Sequence, residues 1–183
     1  MHWVAPKIWA RRWDGRLAKL RRQTDALACL FPFEAEWFAR RGLPATFVGH
    51  PSFSRAIEAA PTPGLPETKH RIAILPGSRA QEIRENLPLM LRVMDRLGSE
   101  MDVSGVIVAA DPRAAQQIEA LNQSKYPVRT GDIDGVLAWS SFAFAVSGTV
   151  TLDVARHRRP CLGIYACVVM FRTIAKILIR GMV

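Results

Sequence analysis

Short runs of apolar residues alternate with segments of helical periodicity along most of the chain. The clearest strand-like runs cover residues 71–75, 103–109 and 142–146, and the longest helical pattern covers residues 79–97, where apolar side chains recur three and four residues apart. Strands that are apolar throughout are typical of parallel sheets that are covered on both faces. The alternation therefore predicts an α/β fold with a Rossmann-like, doubly wound parallel sheet.

The remaining elements divide the chain into unequal parts. The predicted helices and strands that complete the sheet region cover residues 112–122, 128–130, 135–139, 149–156, 161–165 and 170–179. Residues 61–66 are rich in proline and glycine and are predicted to be a linker. Residues 1–60 contain three strand-like runs and two helical segments without a complete sheet. We therefore predict a partial second α/β domain over 1–60 and a nearly complete doubly wound domain over 67–183.

The net charge of +9 is concentrated at the two ends of the chain. Residues 1–22 and 154–183 each carry a net charge of +6, whereas residues 23–153 carry −3. A uniformly basic surface would indicate nucleic acid, but this distribution favours local anionic targets, either phosphates or a membrane surface. We predict no nucleic-acid partner. The composition, 49% apolar and 22% charged, excludes a disordered chain.

Cysteine and histidine usage gives no sign of a metal site or a disulfide framework. Cys29, Cys161 and Cys167 form no C-x-x-C pair, and the four histidines lack ligand spacing. We expect no metal and no cofactor, and a reducing compartment. The start of the chain has no pattern of a secretion signal, and no run of 18 uncharged apolar residues is present, so no conventional membrane-spanning helix is predicted.

The first candidate site is the turn between the strand over 71–75 and the long helix. Gly77 allows a ligand to approach the backbone closely, and Arg79 offers a planar fork that suits phosphate oxygens. Ser78 is predicted to be the N-cap, with Gln81 completing a capping box. The free N–H groups of the helix N-terminus would attract an anion. The alternative is an ordinary capped helix with a solvated arginine.

The second candidate site is the turn that follows the strand over 142–146. Ser147 and Thr149 flank Gly148 and can cap the next helix or contact a phosphate. Asp153 lies about one turn into that helix, where a carboxylate can accept two hydrogen bonds from a sugar diol. Its alternative role is a favourable charge near a helix N-terminus. Because both turns follow strands of one sheet, we predict that one ligand spans them, with diphosphate at one turn and ribose at the other.

A basic face is predicted on the last helix. Arg172, Lys176 and Arg180 are spaced four residues apart, and apolar residues cover much of the rest of that helix. Such a helix can lie in an anionic membrane interface. The alternative is a domain helix whose solvated face is basic. The basic helical pattern over residues 8–22 allows the same two interpretations, and RNA binding by this segment is a third, less favoured alternative.

Five motifs, taken in order, resemble one family. VAPKIWARR, LFPFEAEWF, FVGHP, ILPGSRAQEI and VSGTVTLDVARHRRPCLGIY follow one another as in lipid-A-disaccharide synthases, which are bacterial glycosyltransferases of the GT-B architecture. The resemblance runs from residue 3 to about residue 180. It implies two Rossmann-like domains that face a cleft. Residues 67–183 would be the C-terminal nucleotide-sugar-binding domain, and residues 1–60 the last part of the N-terminal acceptor-side domain.

The resemblance also implies a reaction and a set of contacts. The reaction is an inverting, metal-independent transfer of a diacylated glucosamine from UDP to a diacylated glucosamine 1-phosphate, which gives a β-1,6 disaccharide at the cytoplasmic face of the inner membrane. Asp153 stands where the family usually has a glutamate that binds the ribose. The residues that match the family's two substrate-binding turns are Gly77, Ser78, Arg79, Ser147, Gly148 and Thr149.

The chain departs from the family in length. Family members are about twice as long, and the catalytic general base is expected in the N-terminal part that this sequence does not match. We therefore expect a fragment or split product that binds UDP-sugar weakly and turns over little. Two alternatives stay open: a non-catalytic, membrane-associated UDP-sugar-binding module, and another GT-B-like enzyme that uses UDP-N-acetylglucosamine. The VAPKIWA and FVGHP motifs favour the synthase over the latter.

Overall fold

The computed structural model describes residues 2–3, 14–54, 56–57 and 60–164. The contacts divide the chain into two compact units, Met1–Ala56 and Ile57–Val183. The division falls shortly before the predicted linker, and the predicted domain limits stay predictions. The predicted helix over 170–179 lies outside the described residues.

The first unit is built on a three-stranded parallel sheet in the order β1-β2-β3. Its strands are β1 (His2–Trp3), β2 (Leu27–Cys29) and β3 (Ala45–Phe47), and its helices are α1 (Asp14–Gln23), α2 (Pro32–Ala39) and α3 (Pro51–Ser54). Leu27 and Cys29 of the central strand pack with Phe38 and Leu43 in a small core. The short helix α3 was not predicted from the sequence.

The second unit is a five-stranded, fully parallel sheet in the order β6-β5-β4-β7-β8. Its strands are β4 (His70–Leu75), β5 (Val103–Ala109), β6 (Val128–Thr130), β7 (Phe142–Val146) and β8 (Cys161–Ile164). Its helices are α4 (Ala80–Gly98), α5 (Pro112–Asn122), α6 (Ile133–Trp139) and α7 (Val150–Arg156).

Each face of this sheet has its own core. Ile72 and Ile74 of β4 belong to the core that contains the buried residues of α4 and α5. Ala73 and Leu75 belong to the opposite core, which contains the buried residues of α6 and α7. Successive residues of a strand point to opposite faces, so a strand that is apolar throughout contributes side chains to both cores. The predicted doubly wound α/β sheet is confirmed.

The order of the strands creates a switch point between β4 and β7. The chain first winds outward from β4 through β5 to β6, and then crosses back to add β7 and β8 on the other side of β4. In open parallel sheets, ligands bind beyond the carboxyl ends of the strands at the point where the order reverses. The fold therefore singles out the turns that follow β4 and β7.

Aspartate side chains cap the N-termini of two helices of the second unit, α5 and α6. The carboxylate of Asp111 accepts a hydrogen bond from the N–H of Ala114 at 2.8 Å, which starts α5. The carboxylate of Asp132 plays the same part for α6 by accepting from the N–H of Gly135 at 3.2 Å. Pro88 lies inside α4 without ending it. These local signals explain why the predicted limits of the central elements agree closely with the structure.

Candidate functional site

The two predicted turns lie on neighbouring strands. β4 and β7 are paired in parallel, and Leu75 lies opposite Ala145 at their carboxyl ends. Residues 76–79 and 147–149 therefore leave the sheet side by side at one edge. The helices that follow them, α4 and α7, pack on opposite faces of the sheet. The structure thus places both turns at the switch point, which is the arrangement that one shared ligand requires.

Gly77 is held in a conformation that other residues rarely adopt. Its φ is +108°, and a Cβ atom at this position would lie 2.7 Å from Oε2 and 2.8 Å from Cβ of Glu82. Both observations require glycine here. The group that approaches the Gly77 backbone closely in the structure is the side chain of Glu82. The predicted close approach of a ligand stays a prediction.

The predicted capping box at this turn was wrong by one residue. The helix α4 begins at Ala80, and Arg79, not Ser78, is the N-cap. The carboxylate of Glu82 accepts hydrogen bonds from the N–H groups of Ser78 at 3.3 Å and of Arg79 at 3.4 Å. Gln81, the predicted partner, donates instead to Glu85. The carboxylate is the stronger acceptor because it is charged, and the sequence shows it three residues after Arg79.

An ion pair completes the first turn. Nη1 of Arg79 lies 2.5 Å from Oε1 of Glu82, and the two side chains are 80% and 27% exposed. Burial acts to raise the pKa of Glu82, but hydrogen bonds from Arg79, its positive charge and the N–H of Ser78 outweigh burial, so that pKa is lowered. Glu82 is therefore ionised at neutral pH, and the turn is organised around an anion.

The second turn is open and has fewer internal contacts. Ser147, Gly148 and Thr149 are exposed. Thr149 is the N-cap of α7 and its side chain makes no capping hydrogen bond, whereas the hydroxyl of Thr151 donates to the carbonyl of Gly148 at 2.7 Å. A Cβ atom at Gly148 would meet no atom within 4 Å. The predicted phosphate contacts of this turn stay predictions.

Asp153 lies one turn into α7, close behind the second turn. Its side chain is 18% exposed, and its Oδ1 accepts a hydrogen bond from Nη1 of Arg156 at 3.2 Å. The side chain of Arg156 is only 3% exposed, so the pair is anchored in the protein. A ribose hydroxyl at this place would share the carboxylate with Arg156. The predicted ribose contact stays a prediction.

The loop after α7 ties this helix to α6, a feature that sequence reasoning missed. Nε2 of His157 lies 2.8 Å from Oδ1 of Asp134, and both side chains are mostly buried. Arg159 donates to the carbonyls of Leu137 and Ala138 at the end of α6. Asp134 and His157 are 23 residues apart, and no local pattern joins them. These contacts hold the C-terminal end of α7 against α6.

Two kinds of feature are absent from the part of the chain that the structure describes, a metal-binding cluster and a membrane-spanning helix. No group of three or more histidine, cysteine, aspartate or glutamate side chains that could hold a metal ion is found among them. In the same part of the chain, no helix is both long and apolar enough to cross a membrane. Arg172, Lys176 and Arg180, which form the predicted basic face, lie outside the described residues.

The fold and the two turns define a Rossmann-like α/β domain with a candidate ligand site at its switch point. The family model described as Lipid-A-disaccharide synthetase matches residues 1–182, and the chain belongs to that family. This confirms the resemblance that the five motifs indicate.

Curated relatives support the same assignment. A lipid-A-disaccharide synthase of Coxiella burnetii is 33% identical over 98% of this chain and 50% of its own length. One from Solibacter usitatus is 37% identical over 88% of this chain and 44% of its own length. One from Pseudomonas paraeruginosa is 31% identical over 99% of this chain and 50% of its own length. The chain thus spans about half the length of the curated relatives it matches.

Proposed function

We propose that the chain provides the donor-nucleotide-binding part of a glycosyltransferase of lipid A biosynthesis. The reaction is the transfer of a diacylated glucosamine from UDP to a diacylated glucosamine 1-phosphate, which forms the β-1,6 disaccharide and UDP. Membership of the family and the names of the relatives support this reaction. The observation that carries the proposal is the side-by-side position of the two turns at the carboxyl ends of β4 and β7.

The first turn suits the diphosphate. It lies at the N-terminus of α4, a helix of 19 residues, whose N–H groups and dipole favour an anion. Ser78 and Arg79 are exposed and follow Gly77, which is half-buried. As the glycosidic bond breaks, negative charge grows on the departing UDP. The guanidinium of Arg79 and the helix N-terminus would stabilise that charge without a metal ion.

The second turn suits the nucleoside. Ser147, Gly148 and Thr149 offer exposed hydroxyl and backbone groups beside the first turn. Asp153 presents a carboxylate that is fixed by Arg156 and partly exposed, and a carboxylate can accept hydrogen bonds from the two ribose hydroxyls. The described residues thus serve the leaving group. We assign none of them as the general base that activates the acceptor.

The place of action is proposed to be the cytoplasmic face of the inner membrane. The net charge of +6 over residues 154–183 supports an anionic surface as a partner. In this proposal Arg172, Lys176 and Arg180 contact the lipid head groups. Flotation of the chain with anionic liposomes tests it: Lys176→Glu should reduce binding, and equal binding by both proteins would contradict the proposal.

Titration calorimetry with UDP tests the proposed function through Arg79. Charge-assisted hydrogen bonds contribute about 1.5 to 3 kcal/mol, so Arg79→Ala should weaken UDP binding by roughly ten- to hundredfold. Arg84→Ala is the matched control, because Arg84 is an exposed arginine of the same helix, outside the turn. Equal affinities of the wild type and Arg79→Ala would dismiss the diphosphate role of the first turn.

A further inference from the structure

The carboxylate of Glu82 contacts the same groups that the proposed function assigns to the diphosphate. It accepts hydrogen bonds from the N–H groups of Ser78 and Arg79, and it forms an ion pair with the guanidinium of Arg79. Its Oε2 also lies 2.7 Å from the position of a Cβ on Gly77, so it fills the space beside that glycine. One side chain of the protein therefore stands where the ligand's phosphate would be received.

The contacts of Glu82 with the backbone are long for a charged acceptor. They measure 3.3 Å and 3.4 Å, whereas charge-assisted N–H···O bonds are typically about 2.7 to 2.9 Å. The contact with Arg79 is much closer, at 2.5 Å. A phosphate group has more acceptor oxygens than a carboxylate and can approach the N–H groups directly. If a phosphate replaced the carboxylate of Glu82, the backbone N–H groups of the turn would thus form shorter hydrogen bonds.

Carboxylate and phosphate cannot both occupy this turn. Both are negatively charged, and both would use the guanidinium of Arg79 and the N–H groups of Ser78 and Arg79. Two like charges this close repel each other, and they do so more strongly in a protein environment of low dielectric constant than in water. Glu82 lies in the first turn of α4, and its side chain is partly exposed, so it can swing away without unfolding the helix.

We propose that Glu82 is an internal counter-ion of the first turn, which a nucleoside diphosphate displaces when it binds. The inference rests on the proposed function and deepens it, since it names a residue that sets the affinity of that site. Binding transfers the guanidinium of Arg79 from the carboxylate to the phosphate. The free energy needed to break the Arg79–Glu82 pair is thereby subtracted from the affinity for the ligand.

Glu82 would behave differently if it served only as a helix cap. A cap stabilises the turn that receives the phosphate, and its loss would weaken ligand binding. An internal counter-ion competes with the phosphate, and its neutralisation would strengthen ligand binding. Glutamine separates the two roles, because it can still accept the capping hydrogen bonds but carries no charge.

The experiment is titration calorimetry of the full chain with UDP, comparing the wild type with Glu82→Gln. The net contribution of an exposed ion pair, up to about 1 kcal/mol, predicts that Glu82→Gln binds UDP about two- to fivefold more tightly. Glu85→Gln is the matched control. It removes the same charge from the same helix, at a side chain that contacts Gln81 and not the turn, and should leave the affinity unchanged.

Each outcome decides the proposal. Tighter binding by Glu82→Gln alone supports it, whereas equal or weaker binding overturns it in favour of a plain cap. A wild type that binds no UDP refutes the proposed function itself, and the inference with it. Thermal unfolding verifies that the variants are folded. Should Glu82→Gln not fold, Glu82→Ala below its own melting temperature must show the same gain in affinity for the proposal to stand.

Discussion

The turns after β4 and β7 look alike in sequence, yet the structure builds them differently. In the first turn, Gly77 has a φ of +108° and packs against Glu82, whose carboxylate binds two backbone N–H groups. In the second, Gly148 has open space around it and the N-cap Thr149 makes no side-chain cap. The first turn is thus a preformed anion cradle and the second an open loop. This contrast supports the proposal that the first turn receives the diphosphate and the second turn the nucleoside.

Alanine substitutions at Gly77 and Gly148 should reveal the difference between the two turns most strongly. A non-glycine residue at a positive φ costs about 1 to 3 kcal/mol, and the clash with Glu82 adds to it, so Gly77→Ala should lower the free energy of unfolding by at least about 1 kcal/mol. Gly148→Ala should change it by less than about 0.5 kcal/mol. Denaturant unfolding measures both values. Equal losses would mean that the two turns do not differ in strain.

Substitution of Asp153 tests whether the second turn binds the ribose and not the diphosphate. If this carboxylate binds ribose, Asp153→Asn should weaken UDP binding by about five- to tenfold, the equivalent of one hydrogen bond of about 1 kcal/mol or slightly more. Binding of pyrophosphate, which has no ribose, should stay unchanged. Calorimetry with UDP and with pyrophosphate gives the loss of affinity for each ligand. An equal loss for both would indicate damage to the fold through Arg156 instead of a lost ribose contact.

The smallest expected effect concerns pH. The pKa of Glu82 is lowered in the folded chain, so the ionised carboxylate stabilises the fold above its unfolded-state pKa, and this contribution is lost as the pH falls through the folded-state pKa. The difference in unfolding free energy between the wild type and Glu82→Gln should therefore shrink as the pH falls from neutral into the acid range below the usual pKa of a glutamate. The corresponding difference for Thr149→Ala in the second turn should not change with pH. If the differences in unfolding free energy for Glu82→Gln and Thr149→Ala changed with pH in the same way, this prediction would be wrong.

The sequence predicts the strands and helices of the second unit well, but it predicts the contacts between their side chains poorly. The strand over 103–109 and the helix over 112–122 have the predicted limits, because the N-cap Asp111 and the following Pro112 separate two clear apolar periods. The adjacency of the two turns follows from the reversal of strand order in a doubly wound sheet. The N-cap of α4 lies one residue later than predicted, at Arg79 and not at Ser78. Both residues have a polar partner three positions on, Gln81 for Ser78 and Glu82 for Arg79, and the charged carboxylate of Glu82 is the stronger acceptor. The Asp134–His157 pair joins distant residues and has no local signal.

A crystal structure of the chain grown with UDP would show whether one nucleotide contacts both turns. We expect one UDP across the switch point, with its diphosphate oxygens within hydrogen-bond distance of the N–H groups of residues 78–79 and of the Arg79 guanidinium. We expect its ribose hydroxyls to donate to the carboxylate of Asp153. The carboxylate of Glu82 would have moved away from Arg79. UDP bound elsewhere on the sheet, or in contact with only one of the two turns, would contradict this expectation.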